Sequence, residues 1–209
     1  MTWTIERVEL RRIAMPLVSP FRTSFGSQTE RDILLVRVEL ADASGGPTDT
    51  IEGWGECVAL SEPPALSRLH GQRMAGAALE MAFLVAQLRA TGQSFAAFLG
   101  AERTRIPSGV SVGIHDSTDE LLAAVQGYVD DGYVRIKLKI EPGSDIDQVA
   151  AVRELIGPGT PFQVDANTAY RRTDGAHLAR LDEFDLLLIE QPLPEDDIVG
   201  HARLAAEVE

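Results

Sequence analysis

Apolar and polar positions alternate with period two through IERVELRRIAMPL and again through DILLVRVEL, the pattern of strands with one buried face. The two runs predict an antiparallel pair around a long polar loop, SPFRTSFGSQTER. A third strand, TIEGWGECV, follows the run ADASGGPTD, in which Gly45, Gly46 and Pro47 stop any regular element. Residues 71–88, GQRMAGAALEMAFLVAQL, are apolar on most faces and predict a helix buried between layers.

After Ile106 the pattern changes. Four apolar runs, IPSGVSVGI, YVRIKLKI, PFQVDA and DLLLIEQ, alternate with the helical patterns TDELLAAVQGYVDDG, SDIDQVAAVRELIG and TDGAHLARLDEF. Each helix opens on Thr or Ser followed by acids, which suits an N-cap and the positive end of the helix dipole. Alternating apolar strands and amphipathic helices predict parallel strands covered by helices. The expected organisation is a small N-terminal α+β domain over residues 1–100 and a βα-repeat domain over 101–209.

Charge narrows the partners. Asp and Glu outnumber Lys and Arg by 32 to 19, and a net charge of −13 repels phosphate backbones and anionic lipid, so neither nucleic acid nor membrane is an expected partner. Cys57 is the only cysteine, which excludes an intrachain disulfide and a cysteine zinc cluster. The first residues lack a basic region followed by an apolar run, and a cytoplasmic location is expected.

Spacing carries the most information. Lys139 and Asp165 are 26 residues apart, Asp165 and Glu190 are 25 apart, and counting back from Lys139 by the same interval reaches Gly113. Each interval is one strand-loop-helix-loop unit, so the charged residues occupy equivalent places at the carboxyl ends of successive strands, where barrel active sites gather. Two carboxylates on neighbouring strands offer hard oxygen ligands suited to Mg²⁺ (or Mn²⁺). A lysine beside them, its pKa lowered by cation and confinement, can act as a base. Together they fit proton abstraction next to a carboxylate. Read singly, the lysines also suit an exposed edge strand, DAN a turn, and EQP a strand ending at proline. Their common period favours the joint reading. His115, His177 and His201 receive no role, Arg171 and Arg172 are expected to be solvated, and Trp54 and Cys57 to be packing residues.

The set GWGEC, SVG, KLK, DAN and EQP resembles the enolase superfamily, and within it the muconate-lactonizing subgroup, nearest to o-succinylbenzoate synthases that also act as N-acylamino acid racemases. The resemblance implies an N-terminal capping domain followed by a TIM-type (β/α) barrel, a small carboxylate substrate, Mg²⁺ and a homo-oligomer. It implies acid/base chemistry at Lys139, a hold on the substrate carboxylate at Lys137, and metal ligation at Asp165 and Glu190. Asn167 would lie near metal and substrate, Ser111 would contact substrate, and Phe25 and Gly26 would belong to a mobile specificity loop. Two departures accompany it. The next step of the period, where the family places a third carboxylate, falls beyond Glu209, as does a second lysine, so about four βα units, half a barrel, are expected. The stretch from Glu56 to Gln72 is also short for the helix pair the family carries there, which makes the capping domain abridged. The expected activity is dehydration to o-succinylbenzoate or N-acylamino acid racemisation. A muconate cycloisomerase, a dipeptide epimerase and an inactive remnant or fragment are the alternatives.

Overall fold

The computed structural model describes residues 3–42, 50–58 and 73–208. The expected turn at 43–49, the shortened connection at 59–72 and the expected helix start at 71–72 lie outside them. The chain divides into two compact units, Met1–Val18 with Thr29–Thr104, and Ser19–Gln28 with Arg105–Glu209.

The first unit is built on a three-stranded sheet in the order β1 (Trp3–Thr23), β2 (Gly26–Asp42), β3 (Ile51–Val58), with β2 and β3 antiparallel. The long polar loop expected at 19–31 is absent as a loop. Both strands run through it, leaving a two-residue turn at Ser24 and Phe25. A strand with both faces exposed carries no apolar alternation, so its polar residues give no sign of extended backbone. Helix α1 (Arg73–Thr91) packs on β3, and a short α2 (Phe95–Phe98) capped by Ser94 follows.

The close approach of α1 to the sheet has a simple cause. Ala78, Ala82 and Ala86 recur at i, i+4 and i+8 on one face of α1 and are fully buried with Val36, Val38 and Leu40. They lie over Gly53 and Gly55, where an added Cβ would stand 1.8 Å from the Ala82 carbonyl oxygen and 1.9 Å from that of Ala78. The buried residues of the helix are these three alanines and Leu88. Met74, Leu79 and Met81 are exposed, contrary to the expectation of burial between two layers.

The second unit holds a parallel sheet in the order β4 (Gly109–Val112), β5 (Arg135–Lys139), β6 (Phe162–Asp165), β7 (Ile189–Glu190). Between the strands run α3 (Thr118–Asp130), α4 (Asp145–Ile156) and a segment containing α5 (Gly175–Leu178), and α6 (Ile198–Leu204) follows β7. Strand order equals chain order, and α3 packs on α4, which packs on residues 179–184. The helices thus share one face of the sheet, as in a barrel wall. The architecture is α/β.

Capping differs from the expectation in detail. Ser117, not Thr118, caps α3, its Oγ accepting from the Glu120 N–H at 3.2 Å. Ser144 precedes α4 without a side-chain cap bond. The helix expected at 173–184 is a 3₁₀ turn, the four-residue α5 and a second 3₁₀ segment, Ala179–Phe184. Arg153 explains how that segment ends: its guanidinium donates to the carbonyls of Phe184 and Asp185, each at 2.8 Å, and Asp185 stands at φ 48°.

Candidate active site

In a sheet covered on both faces, the strands would be apolar throughout. Here they alternate. Val112, Ile136, Leu138, Phe162 and Val164 are buried in the helix-covered core. The opposite face carries Ser111, Lys137 and Gln163 in one row across the register, and Lys139, Asp165 and Glu190 in the next. Period two in the backbone therefore gathers the polar residues on the face without helices.

That face brings the charged groups together. The Lys139 ammonium donates to Asp165 Oδ2 at 2.5 Å and to Asn167 Oδ1 at 2.7 Å. Lys137 bridges the two carboxylates, with its Nζ 3.1 Å from Asp165 Oδ2 and 3.0 Å from Glu190 Oε2. Lys139 and Asp165 are buried, whereas the Glu190 side chain is 42% exposed.

Burial alone would raise the Asp165 pKa. The hydrogen bonds from Lys139 and Lys137 outweigh it and hold the carboxyl below its ordinary range. Burial would likewise lower the pKa of Lys137, but hydrogen bonds to Glu190 and Asp165 prevail and raise it. The cause is that two carboxylates face one ammonium.

The loops beyond the strands are braced around this cluster. Asn167 (φ 43°), Thr168 (φ 66°) and Gln191 (φ 46°) adopt left-handed backbone immediately after β6 and β7. Such strain persists only where surrounding bonds fix it. The Thr168 N–H donates to the Gln191 carbonyl at 2.8 Å, and the Asn167 N–H to Asp165 Oδ1 at 3.1 Å. Ser24, at the β1–β2 turn, donates its hydroxyl to the Asn167 carbonyl at 2.8 Å.

The same hairpin tip crosses the end of β4. The Ile114 N–H donates to the Arg22 carbonyl at 3.0 Å, and Gly113 leaves room for that crossing. Arg22 pairs with Asp116 at 2.6 Å and Glu141 at 3.2 Å.

Of the residues expected from sequence, Lys137, Lys139, Asp165, Asn167 and Glu190 form one cluster. Ser111 stands beside Lys137 in the register, with its buried Oγ lacking a hydrogen-bond partner among the described residues. Phe25 is 73% exposed at the turn, and Gly26 has open space where a side chain would be. Ser24 and Gln191 were missed. Nothing in their local sequence marks a bond to a distant carbonyl or a left-handed backbone. His177 is satisfied by Asp145 Oδ2 at 2.6 Å, and Arg172, exposed as expected, also pairs with Asp197 through its Nε at 2.6 Å.

Among the described residues, no group of three or more His, Cys, Asp and Glu side chains is placed to hold a metal. The two carboxylates and the Asn167 amide are hard oxygen donors, and both carboxylates already converge on one cationic centre, the Lys137 ammonium. The donor chemistry therefore fits a Mg²⁺-type ion, with two carboxylates rather than three.

A helix-covered parallel wall with ionisable residues at its strand ends defines a protein of the (β/α)-barrel class. Residues 120–209 match the family model described as "Enolase C-terminal domain-like". The chain belongs to the enolase superfamily. It is 49% identical to an N-succinylamino acid racemase of Amycolatopsis sp, over 97% of this chain and 62% of that protein. It is 37% identical to an o-succinylbenzoate synthase of Geobacillus kaustophilus, over 98% of this chain and 61% of that protein. A crystal structure of an enolase-superfamily member from Listeria innocua superposes with a TM-score of 0.83 at 31% identity, covering all of this chain and 63% of the other. The chain thus spans about 62% of the length of the curated relatives it matches. The first of these alignments covers 236 residues although the chain has 209, so that relative carries internal residues with no counterpart here.

Proposed function

We propose that this chain carries the lysine- and carboxylate-bearing part of a site that removes a proton α to a carboxylate. The observation behind the reading is the convergence of Lys137 and Lys139 on Asp165, Glu190 and Asn167 at the ends of neighbouring strands. Lys139, deprotonated, takes the α-proton, and the Asn167 amide holds its amine in place. Lys137 holds the charge of the substrate carboxylate. Ser111, Phe25 and Gly26 contact the substrate. Asp165 and Glu190 hold Mg²⁺ (or Mn²⁺), which when bound stabilises the added negative charge on the carboxylate oxygens.

Among reactions of this class, the dehydration that forms o-succinylbenzoate is the best match. It needs one group to take a proton and return it to the departing hydroxyl, and Lys139 can serve both steps. Racemising an N-acylamino acid needs a base on each face of the carbon, and the lysines of this cluster lie on one side. Muconate cycloisomerisation and dipeptide epimerisation would use the same residues. The substrate is a small carboxylate and the setting cytoplasmic. A second reading, a chain without turnover, draws on the self-neutralised cluster, in which the two ammonium groups already occupy the two carboxylates.

The test follows α-deuterium exchange of an N-succinylamino acid in D₂O, and formation of o-succinylbenzoate by absorbance, with and without Mg²⁺. The reading expects Mg²⁺-dependent turnover reduced about 10²–10⁴-fold in Lys139→Ala. Turnover that survives this substitution, or none at any Mg²⁺ concentration, overturns it.

A further inference from the structure

Asn167 meets the Lys139 ammonium where the chain turns sharply after β6. Asn167 and Thr168 are both left-handed, and the Ala169 N–H closes the turn on the Ala166 carbonyl at 3.0 Å. Backbone of this kind keeps its shape while its surroundings hold both ends. The entering end is held by the sheet, where the Ala166 N–H donates to the Glu190 carbonyl at 3.0 Å. The leaving end is Tyr170. Its N–H donates to the Pro192 carbonyl at 3.0 Å, its side chain is buried, and its hydroxyl donates to Asp145 Oδ2 at 2.6 Å.

Asp145 is the first residue of α4 and is itself buried. The same Oδ2 meets the His177 Nε2 at 2.6 Å, and the His177 ring stacks on Tyr170 with the centroids 6.1 Å apart. Bonds this short are those a charged acceptor makes. The other oxygen, Oδ1, is buried and has no partner among the described residues. Burying a carboxylate with half of its acceptor capacity unused is costly, so the bonds that it does make call for a reason. Both go to side chains, 25 and 32 residues further along the chain, and neither caps a helix. Burial and the Asp145 carboxylate raise the Tyr170 pKa, so the phenol keeps the proton that it donates.

We infer that Asp145 is a positioning residue of the candidate site: through the Tyr170 hydroxyl it fixes the turn that presents Asn167 to Lys139, and His177 is the second donor that fixes the carboxylate. Tyr170 belongs to the helix-covered core, so Asp145 acts on the polar face of the sheet through the backbone between Tyr170 and Asn167. The inference rests on the reading of Lys139 as a base held by the Asn167 amide. With the turn displaced, Lys139 keeps Asp165 and loses Asn167.

The experiment follows the amides of the full chain by ¹H–¹⁵N NMR, with Lys139→Ala marking where the Asn167 side-chain signal lies once the lysine contact is gone. Tyr170→Phe and Asp145→Asn should carry that signal most of the way to the marked position. They should also speed exchange of the Thr168 amide about 10-fold relative to the Ile136 amide. His177→Gln, which keeps an N–H donor for the carboxylate, should stay near native. Val125→Ala, a loss from the same core on α3, should leave the Asn167 signal in place. In turnover, Tyr170→Phe should lower kcat about 10–10²-fold with KM unchanged, because Lys137 and Ser111 lie outside the turn. An Asn167 signal that keeps its native position in Tyr170→Phe overturns the inference, and so does an equal shift in Val125→Ala or a change in KM alone. Should Asp145→Asn fail to fold, Tyr170→Phe, which loses a single oxygen atom, decides by itself. Amide responses as expected in a chain without turnover support the positioning and count against the reaction read for Lys139.

Discussion

At the scale of single residues, Asp165 decides most. Its carboxylate is nearly inaccessible and is approached by two ammonium groups, so its desolvation is offset only while they stay in place. Asp165→Asn removes the shared anion and leaves Lys139 buried beside an amide. A loss of about 3–5 kcal/mol is expected, read as a lowered urea midpoint. Lys137→Gln should cost less, because that side chain is partly exposed. A second residue sets an alkaline limit. Burial, with the hydrogen bond to Asp145 and its charge, raises the Tyr170 pKa above 10.0. The folded state therefore keeps a proton that the unfolded chain releases. The contribution is fully present below pH 10.0 and is lost as pH rises through the folded value. Urea midpoints measured from about pH 8 to about pH 11 should fall more steeply in the native chain than in Tyr170→Phe. At neutral pH that variant should lose about 1.5–3 kcal/mol with its bond to a carboxylate.

At the scale of elements, the approach of α1 to β3 makes a sharp demand. Gly53→Ala or Gly55→Ala would drive a methyl group into backbone of the helix, which cannot yield as a side chain can. Each should destabilise the first unit by at least about 1–3 kcal/mol, seen as an earlier transition in Trp54 fluorescence. The βα repeat was legible because strands β4 to β6 and helices α3 and α4 each bury one local, periodic face, and the period alone brought Lys139, Asp165 and Glu190 into register. What escaped the sequence was set by partners far along the chain. Arg153 binds the carbonyls that end residues 179–184, Ser24 reaches Asn167, and the hairpin through 19–30 has no apolar face to announce it. The one-sidedness of α1 was hidden for another reason: apolar residues surround it, and only the glycines of β3 select the alanine face. We propose residues 1–100 and 101–209 as the two domains, with the tip at 19–28 serving the second.

At the scale of the whole molecule, the net charge of −13 bears on how the chain meets a cation. The lysine–carboxylate cluster is neutral within itself, so the long-range field that a divalent cation meets comes from the acidic remainder of the chain. That field draws Mg²⁺ toward the protein, and added salt screens it over a Debye length of about 10 Å at 0.1 M. Raising NaCl from about 0.02 M to about 0.3 M should therefore move the Mg²⁺ midpoint to higher concentration, which calorimetric titration checks. If the midpoint stayed in place, the acidic surface would not be what draws the cation. Contacts within the lysine–carboxylate cluster would then have to account for the affinity by themselves.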